Sequence, residues 1–374
     1  MRKVGIMSMQ RIANYGSFLQ AYALKQLIEE VGCNVEFVDY HVGAPVIVEN
    51  ADSKNKVVRK IKKGLETFRY RASLAHKLSF IRYKQSFAQK YMPLLGIADE
   101  MNYNPTVDCL VIGSDEVFNC IQKNSNVGYS PELFGKNNHA KKLITYAASF
   151  GNTTLVKLEK YKKTDEVGAL LKKFDAISVR DANSGAIVEQ LTGKEPLYNL
   201  DPVLTYDYMN CCDKIPQVQT NEKYLILYAY AGRISNEEAD WISDYAKKKK
   251  LKVYAIGGIQ KCADRFVDCS PFEVLAYFRN AEEVITDTFH GSIFSVITHR
   301  PFTTLIRKSV GNSYGNEEKL SDLLKRLKLA DRMTTKIEDA ENINEKTIDY
   351  AKVDELLKAH REVAKEYLRK NLEG

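Results

Sequence analysis

The chain has 374 residues, 44% hydrophobic and 28% charged, which is a globular composition too long for one ordinary core. Its 55 Lys and Arg against 48 Asp and Glu leave a net charge of +7, an excess that suits an anionic ligand or a membrane surface and equally suits neither. No run of about 18 apolar residues is present to span a membrane, and the seven scattered cysteines hold no CxxC pair for a zinc site. Free thiols in a reducing cytoplasm are the expectation, and the opening Met1 to Ser8 reads as a core strand rather than a signal peptide.

Short β-type runs then alternate with helical patterns. Val4 to Met7 reads as a strand, Ser17 to Glu30 as an amphipathic helix and Val35 to Asp39 as a second strand. The Lys/Arg-rich stretch Lys54 to Lys90 reads as helical with a solvated charged face. Cys109 to Ile112 is a continuous apolar run, as a strand inside a parallel sheet requires. Leu143 to Ala148 and Ala176 to Val179 repeat it, with a helix expected over Leu155 to Phe174.

Asp201 to Thr220, with Pro202 and Pro216, breaks the pattern and reads as an interdomain crossing. The alternation then restarts with a strand at Tyr224 to Tyr228, a helix at Asn236 to Lys249 and a strand at Val253 to Ile256. Pro271 to Asn280 follows as a helix, Val284 to Thr286 as a strand, Ser292 to Ile297 as a helix and Pro301 to Ile306 as a strand. Two alternating halves predict an α/β chain of two doubly wound Rossmann-like domains, residues 1–205 and 206–335. Residues 336–374 form a helical tail expected to pack back on the first domain.

Doubly wound sheets bind ligands at the carboxyl ends of their strands, and four such places carry unusual residues. Asn14-Tyr15-Gly16 opens a helix, where free amides favour an anion and where a tight turn needs glycine in any case. Gly113-Ser114-Asp115-Glu116 follows a buried strand; Ser114 and Asp115 either cap the next turn or face a ligand. Arg180, at the end of Ser178-Val179, must be paired, with a carboxylate or with an anionic substrate. Its neighbour Asp181 also reads as a helix cap.

The fourth place is Thr286-Asp287-Thr288-Phe289-His290-Gly291-Ser292. His290 falls at a strand-to-helix turn, where an imidazole can give or take a proton, and Asp287 is near enough in sequence to orient it. Gly291 leaves room for close approach. The alternative is a buried histidine satisfied by a backbone carbonyl. Downstream, Arg307 and Lys308 close a strand and either meet a phosphate or are solvated.

These pieces together resemble the polysaccharide pyruvyl transferase family. The resemblance rests on Asn14-Tyr15-Gly16 with Leu19 to Leu24, Val111-Ile112-Gly113-Ser114-Asp115 with Val117-Phe118-Asn119, and Tyr146 to Gly151. Ser178-Val179-Arg180-Asp181, Leu200-Asp201-Pro202 and Thr286 to Gly291 complete it, and it runs from the first strand to about Leu329. It implies a GT-B-like fold with two domains facing a cleft, acceptor on the first and donor on the second. It implies transfer of a pyruvyl group from phosphoenolpyruvate to two hydroxyls of a hexose, forming a ketal and releasing phosphate. The acceptor would be a bacterial surface polysaccharide or its lipid-linked precursor, reached in the cytoplasm at the inner membrane face. Arg180 and His290 are the donor-binding and catalytic positions so implied, meeting across one crevice.

There are departures. Several family members carry Arg-Leu-His where this chain has Thr288-Phe289-His290, so one donor-binding cation is absent there and Arg307 or Lys308 is the expected replacement. Glu116 and Phe118 stand where glutamine and tryptophan are common. His290 is expected to act as general acid/base near the leaving phosphate, with Asp115 or Asp287 handling the second proton. Arg180, Arg307, Lys308 and the Gly291-Ser292 turn are expected to hold the anion, and Asn14, Tyr15, Gly16 and Ser114 to line the substrate site. No metal, separate cofactor or nucleic-acid partner is expected. Two other readings are a nucleotide-sugar glycosyltransferase on the same fold, and a non-catalytic member that binds glycan or a partner protein. Acceptor contacts are expected from loops within Val42 to Asn55 or Gln122 to Asn138.

Overall fold

A computed structural model describes residues 1–47, 67–122, 126–308 and 315–373. The expected helical residues 54–66, and 48–55 and 123–125 of the expected acceptor loops, lie outside these. Among the described residues the strands form two six-stranded sheets, every pairing parallel.

The first sheet has the order β2-β1-β3-β4-β5-β6. Its strands are β1 (Lys3–Met7), β2 (Asn34–Phe37), β3 (Cys109–Asp115), β4 (Lys142–Ala148), β5 (Ser178–Val179) and β6 (Leu197–Tyr198). The register sets Val4 and Ile6 of β1 beside Cys109 and Val111 of β3, and Leu110 beside Leu143 of β4. These central strands are buried along almost their whole length, which is why they read as unbroken apolar runs. The order reverses between β1 and β3, which makes their carboxyl ends the switch point of this sheet.

The second sheet has the order β12-β11-β10-β7-β8-β9. It consists of β7 (Tyr224–Tyr228), β8 (Lys252–Ile256), β9 (Arg265–Phe266), β10 (Glu283–Thr286), β11 (Phe302–Leu305) and β12 (Met333–Thr334). Helix boundaries here follow local chemistry. Ser235 and Glu238 make a capping box at the start of Asn236–Lys249, whose last turn carries Lys247, Lys248 and Lys249 against the negative helix end. Ser270 and Glu273 do the same for Pro271–Asn280, with proline in its first turn.

Two compact units result: Met1–Glu49, Met92–Tyr208 and Asp354–Gly374 form the first, and Asn50–Tyr91 and Met209–Val353 the second. Division at 205 and 335 therefore differs from the structure in two segments. Residues 67–91 group with the second unit: Phe80 and Tyr83 of the helix Leu74–Tyr91 pack their rings on Phe266 of β9. Residues 336–353 also group with the second unit. Tyr350, at the start of the helix Tyr350–Leu372, donates to the Arg300 carbonyl (2.6 Å), whereas Tyr367 near its end donates to the Thr145 carbonyl of the first unit (2.8 Å).

Other differences are local. The expected helix over Leu155 to Phe174 is two, Leu155–Lys160 and Thr164–Leu171, broken where Lys162 takes a left-handed φ of 54°. The helix expected from Ser292 begins at Phe289, because Thr288 caps it. β6, β9 and β12, of two residues each, are too short to show a period.

Candidate active site

In the first unit Asp115 ends β3 and Arg180 follows β5, two strand ends with β4 between them. The Arg180 guanidinium donates to Asp201 (Nη1 to Oδ2, 3.0 Å) and to Asp115 (Nη2 to Oδ1, 3.2 Å). Burial opposes its charge, and Asp115 and Asp201 outweigh that, holding its pKa above the ordinary value. Arg180 is thus engaged with two carboxylates, the pairing alternative for a buried arginine. One cation between two anions leaves the cluster net negative, which disfavours phosphate and favours a hydroxyl donor. Asp115 sits at φ 75°, accepts from the Ser17 hydroxyl (3.1 Å) and from the Glu116 amide (2.9 Å), and keeps some exposure to solvent.

Ser114 belongs to β3 rather than to a cap. It is fully buried, its hydroxyl donating to the Ala147 carbonyl and its amide to Gln20 Oε1. Gln20 also donates to the Ser8 hydroxyl (2.9 Å), tying the ends of β1 and β3 to the first helix. Asn14 caps that helix, Tyr15–Glu30, by accepting from the Gly16 amide (2.7 Å), so that amide is taken and not held out to an anion. Tyr15 is buried at the first helical position. Asp181 caps Ala182–Thr192 through the Ser184 amide and accepts from the Ser149 hydroxyl (2.6 Å), as its helix-cap reading required.

In the second unit the focus is the end of β10. Asp287 follows it directly, and its side chain has no exposure to water. Neither of its carboxylate oxygens has a hydrogen-bond partner on another described residue. Among the described residues the cation set against it is Arg233, whose Nη1 is 4.0 Å from Oδ2. Burial raises the Asp287 pKa to about 6; Arg233 and Arg307 pull it down, and Glu238 pushes it up. A carboxyl titrating there holds or releases a proton near neutral pH.

Thr288 caps the helix Phe289–Ile297, accepting from the Gly291 amide (2.9 Å), and its hydroxyl lies 3.1 Å from that of Thr286. His290 is therefore inside the first helical turn, buried, its ring against those of Phe289 and Phe294. Gly291 has a packing reason to be glycine: a Cβ there would run into the Thr286 hydroxyl and lie 2.7 Å from that of Thr288. Ser292 is turned inward, its hydroxyl donating to the Thr288 carbonyl and meeting Thr304 on β11. Arg307 forks onto Glu238, with Nη2 to Oε2 at 3.1 Å, so its charge is matched within the unit; Lys308 is exposed.

Several residues that shape these sites escaped the sequence. Asn316 accepts from the Arg307 amide (2.6 Å) and donates to the Asp287 carbonyl (2.6 Å), joining the exits of β10 and β11. Arg233 follows β7, its guanidinium 4.5 Å over the Tyr230 ring; the rule of strand carboxyl ends would have found it. Asp201 and Gln20 lie within the stretches that carry the family resemblance and Ser17 directly follows Gly16, but their roles depend on pairings across the sheet. Among the described residues no group of three or more His, Cys, Asp or Glu is placed to hold a metal.

Two doubly wound parallel units with polar residues gathered after their strands make this a GT-B-like α/β protein. Its fold is similar to that of UDP-N-acetylglucosamine 2-epimerase from Rickettsia bellii (TM-score 0.50, 10% identity, covering 99% of this chain and 98% of that one). The UDP-GlcNAc 2-epimerase of Methanocaldococcus jannaschii is also similar (TM-score 0.49, 10% identity, 93% of each chain). No curated protein matches the chain. The family model for polysaccharide pyruvyl transferase matches residues 14–309, and the chain belongs to that family.

Proposed function

We propose that the chain transfers a pyruvyl group from phosphoenolpyruvate to a hexose of a bacterial surface polysaccharide or its lipid-linked precursor, in the cytoplasm at the inner membrane face. The enol methylene carbon takes one proton and becomes a methyl group. The adjacent carbon gains bonds to two sugar oxygens, its bond to the phosphate oxygen breaks, and the second hydroxyl proton leaves with phosphate.

The observation that carries this reading is Asp287, a buried carboxyl with a pKa of about 6, beside Arg233 and three residues before His290. Phosphoenolpyruvate needs cations and a proton donor. Arg233, keeping partial exposure, takes the place of the arginine that Thr288 lacks, because Arg307 is held by Glu238. His290 and Asp287 exchange the protons of the donor. On the first unit Asp115, oriented by Arg180 and Ser17, accepts a hydroxyl proton from the sugar. Arg180 is thereby a positioning residue.

Radiolabelled phosphoenolpyruvate supplied with a bacterial lipid-linked saccharide fraction tests the reading. The wild type should incorporate acid-labile label with equimolar phosphate release, and His290→Ala should abolish both while the fold stays intact. Transfer from a nucleotide sugar with none from phosphoenolpyruvate would instead favour glycosyl transfer.

A further inference from the structure

We infer that the helix Leu74–Tyr91, with Phe68 ahead of it, seats the second unit on the surface of an anionic lipid bilayer. One face of this helix is accounted for: Phe80, Tyr83 and Phe87 are buried, the first two against Phe266. The opposite face is apolar over its first two turns and polar after them, where Arg82, Gln85 and Gln89 follow on the same side. Leu74 is 63% exposed and Leu78, one turn on and on the same side, 52%. Phe68 is 48% exposed and is held at the helix start, its carbonyl accepting from Lys77 Nζ at 2.9 Å.

The charge carried by this segment itself has one sign, the acids felt by Tyr91 being Asp268 and Glu273 beyond its far end. Residues 67–91 contain six Lys and Arg and no Asp or Glu. Arg69, Arg71, Arg82, Lys84 and Lys90 are all exposed. Apolar side chains ringed by cations suit an interface of acyl chains under anionic headgroups. No described helix is long and apolar enough to cross a membrane, so the fit is to its surface. A second copy docked about a two-fold axis would bring this basic face against itself, which repulsion disfavours. Nucleic acid would use the cations and leave the exposed leucines and phenylalanine unburied.

Co-sedimentation of the full chain with vesicles decides it, using phosphatidylcholine alone and phosphatidylcholine mixed with phosphatidylglycerol. Binding to the mixed vesicles only, weakened by salt, is expected. Leu74→Ser with Leu78→Ser, which leaves the charge unchanged, should lower the bound fraction at least about fivefold, and Arg71→Glu with Arg82→Glu should do the same. No binding by the wild type at low salt overturns the inference. So does vesicle binding that the leucine variant leaves unchanged, or conversion of a dimer to a monomer by that variant with no lipid affinity in either form. Binding of a duplex oligonucleotide as tight as that of vesicles, alike in the wild type and the leucine variant, would assign the face to nucleic acid instead.

Discussion

The Asp287 carboxylate lies 4.0 Å from the Arg233 guanidinium, too far for a hydrogen bond and close enough for the charges to be felt. A fully formed ion pair would fix the carboxyl as an anion. The looser pairing, in a site without water contact, leaves a proton that can come and go.

Asp287→Asn tests this through stability. Burial raises the native pKa above the unfolded value, from 3.8 to about 6, so the native state binds the proton more tightly. The stability the group supplies is full below about pH 4 and is lost as pH rises through about 6, by about 3 kcal/mol. Asparagine does not titrate. Relative to wild type, the variant should therefore gain up to about 3 kcal/mol between pH 4 and 7 in urea unfolding, while losing turnover. A difference that does not change with pH would mean the carboxyl is not buried as described.

Arg180→Met should destabilise the first unit by about 3 kcal/mol, because it strands the buried Asp201 carboxylate and removes the partner of the partly exposed Asp115. Arg180→Lys should recover only part of this, since a point charge cannot bridge Asp115 and Asp201 as a fork does. Denaturant unfolding is the measurement. Near-native stability of Arg180→Met would mean the arginine serves a ligand and not the pair.

Gly291→Ala should cost about 1–3 kcal/mol through overpacking against Thr286 and Thr288. Thr288→Val, keeping the shape and losing the cap to the Gly291 amide, should cost about 1 kcal/mol. Thermal melts of both variants check this.

Asn316→Leu should cost about 1–3 kcal/mol, leaving the Arg307 amide and the Asp287 carbonyl without their side-chain partner. The same variant should weaken phosphoenolpyruvate binding, since the turn that places Asp287 is no longer tied to the end of β11. Calorimetric titration with phosphoenolpyruvate measures that loss.

The elements that were legible in the sequence are those with a strong local signal. β7 and the helices Asn236–Lys249 and Pro271–Asn280 fall where they were expected, each helix bounded by a serine cap. The helix carrying His290 starts three residues ahead of the expected Ser292, because β-branched Thr286 and Thr288 read as extended chain and the cap hydrogen bond is invisible in composition. The strand-end rule located Asp115, Arg180 and Asp287, but not their electrostatics. Arg180 meets Asp115, 65 residues away, and Asp201, 21 residues away, only through the sheet order. The raised pKa of Asp287 comes from burial by the whole unit, which no short motif records.

Thermal unfolding with phosphoenolpyruvate tests the central claim most directly. A donor that binds the native chain must raise its melting temperature; at about ten times its dissociation constant the gain is about 1.4 kcal/mol, or a few degrees. The account predicts that rise with millimolar phosphoenolpyruvate, its loss in Arg233→Ala, and none with a uridine nucleotide sugar. A shift with the nucleotide sugar and none with phosphoenolpyruvate would contradict it.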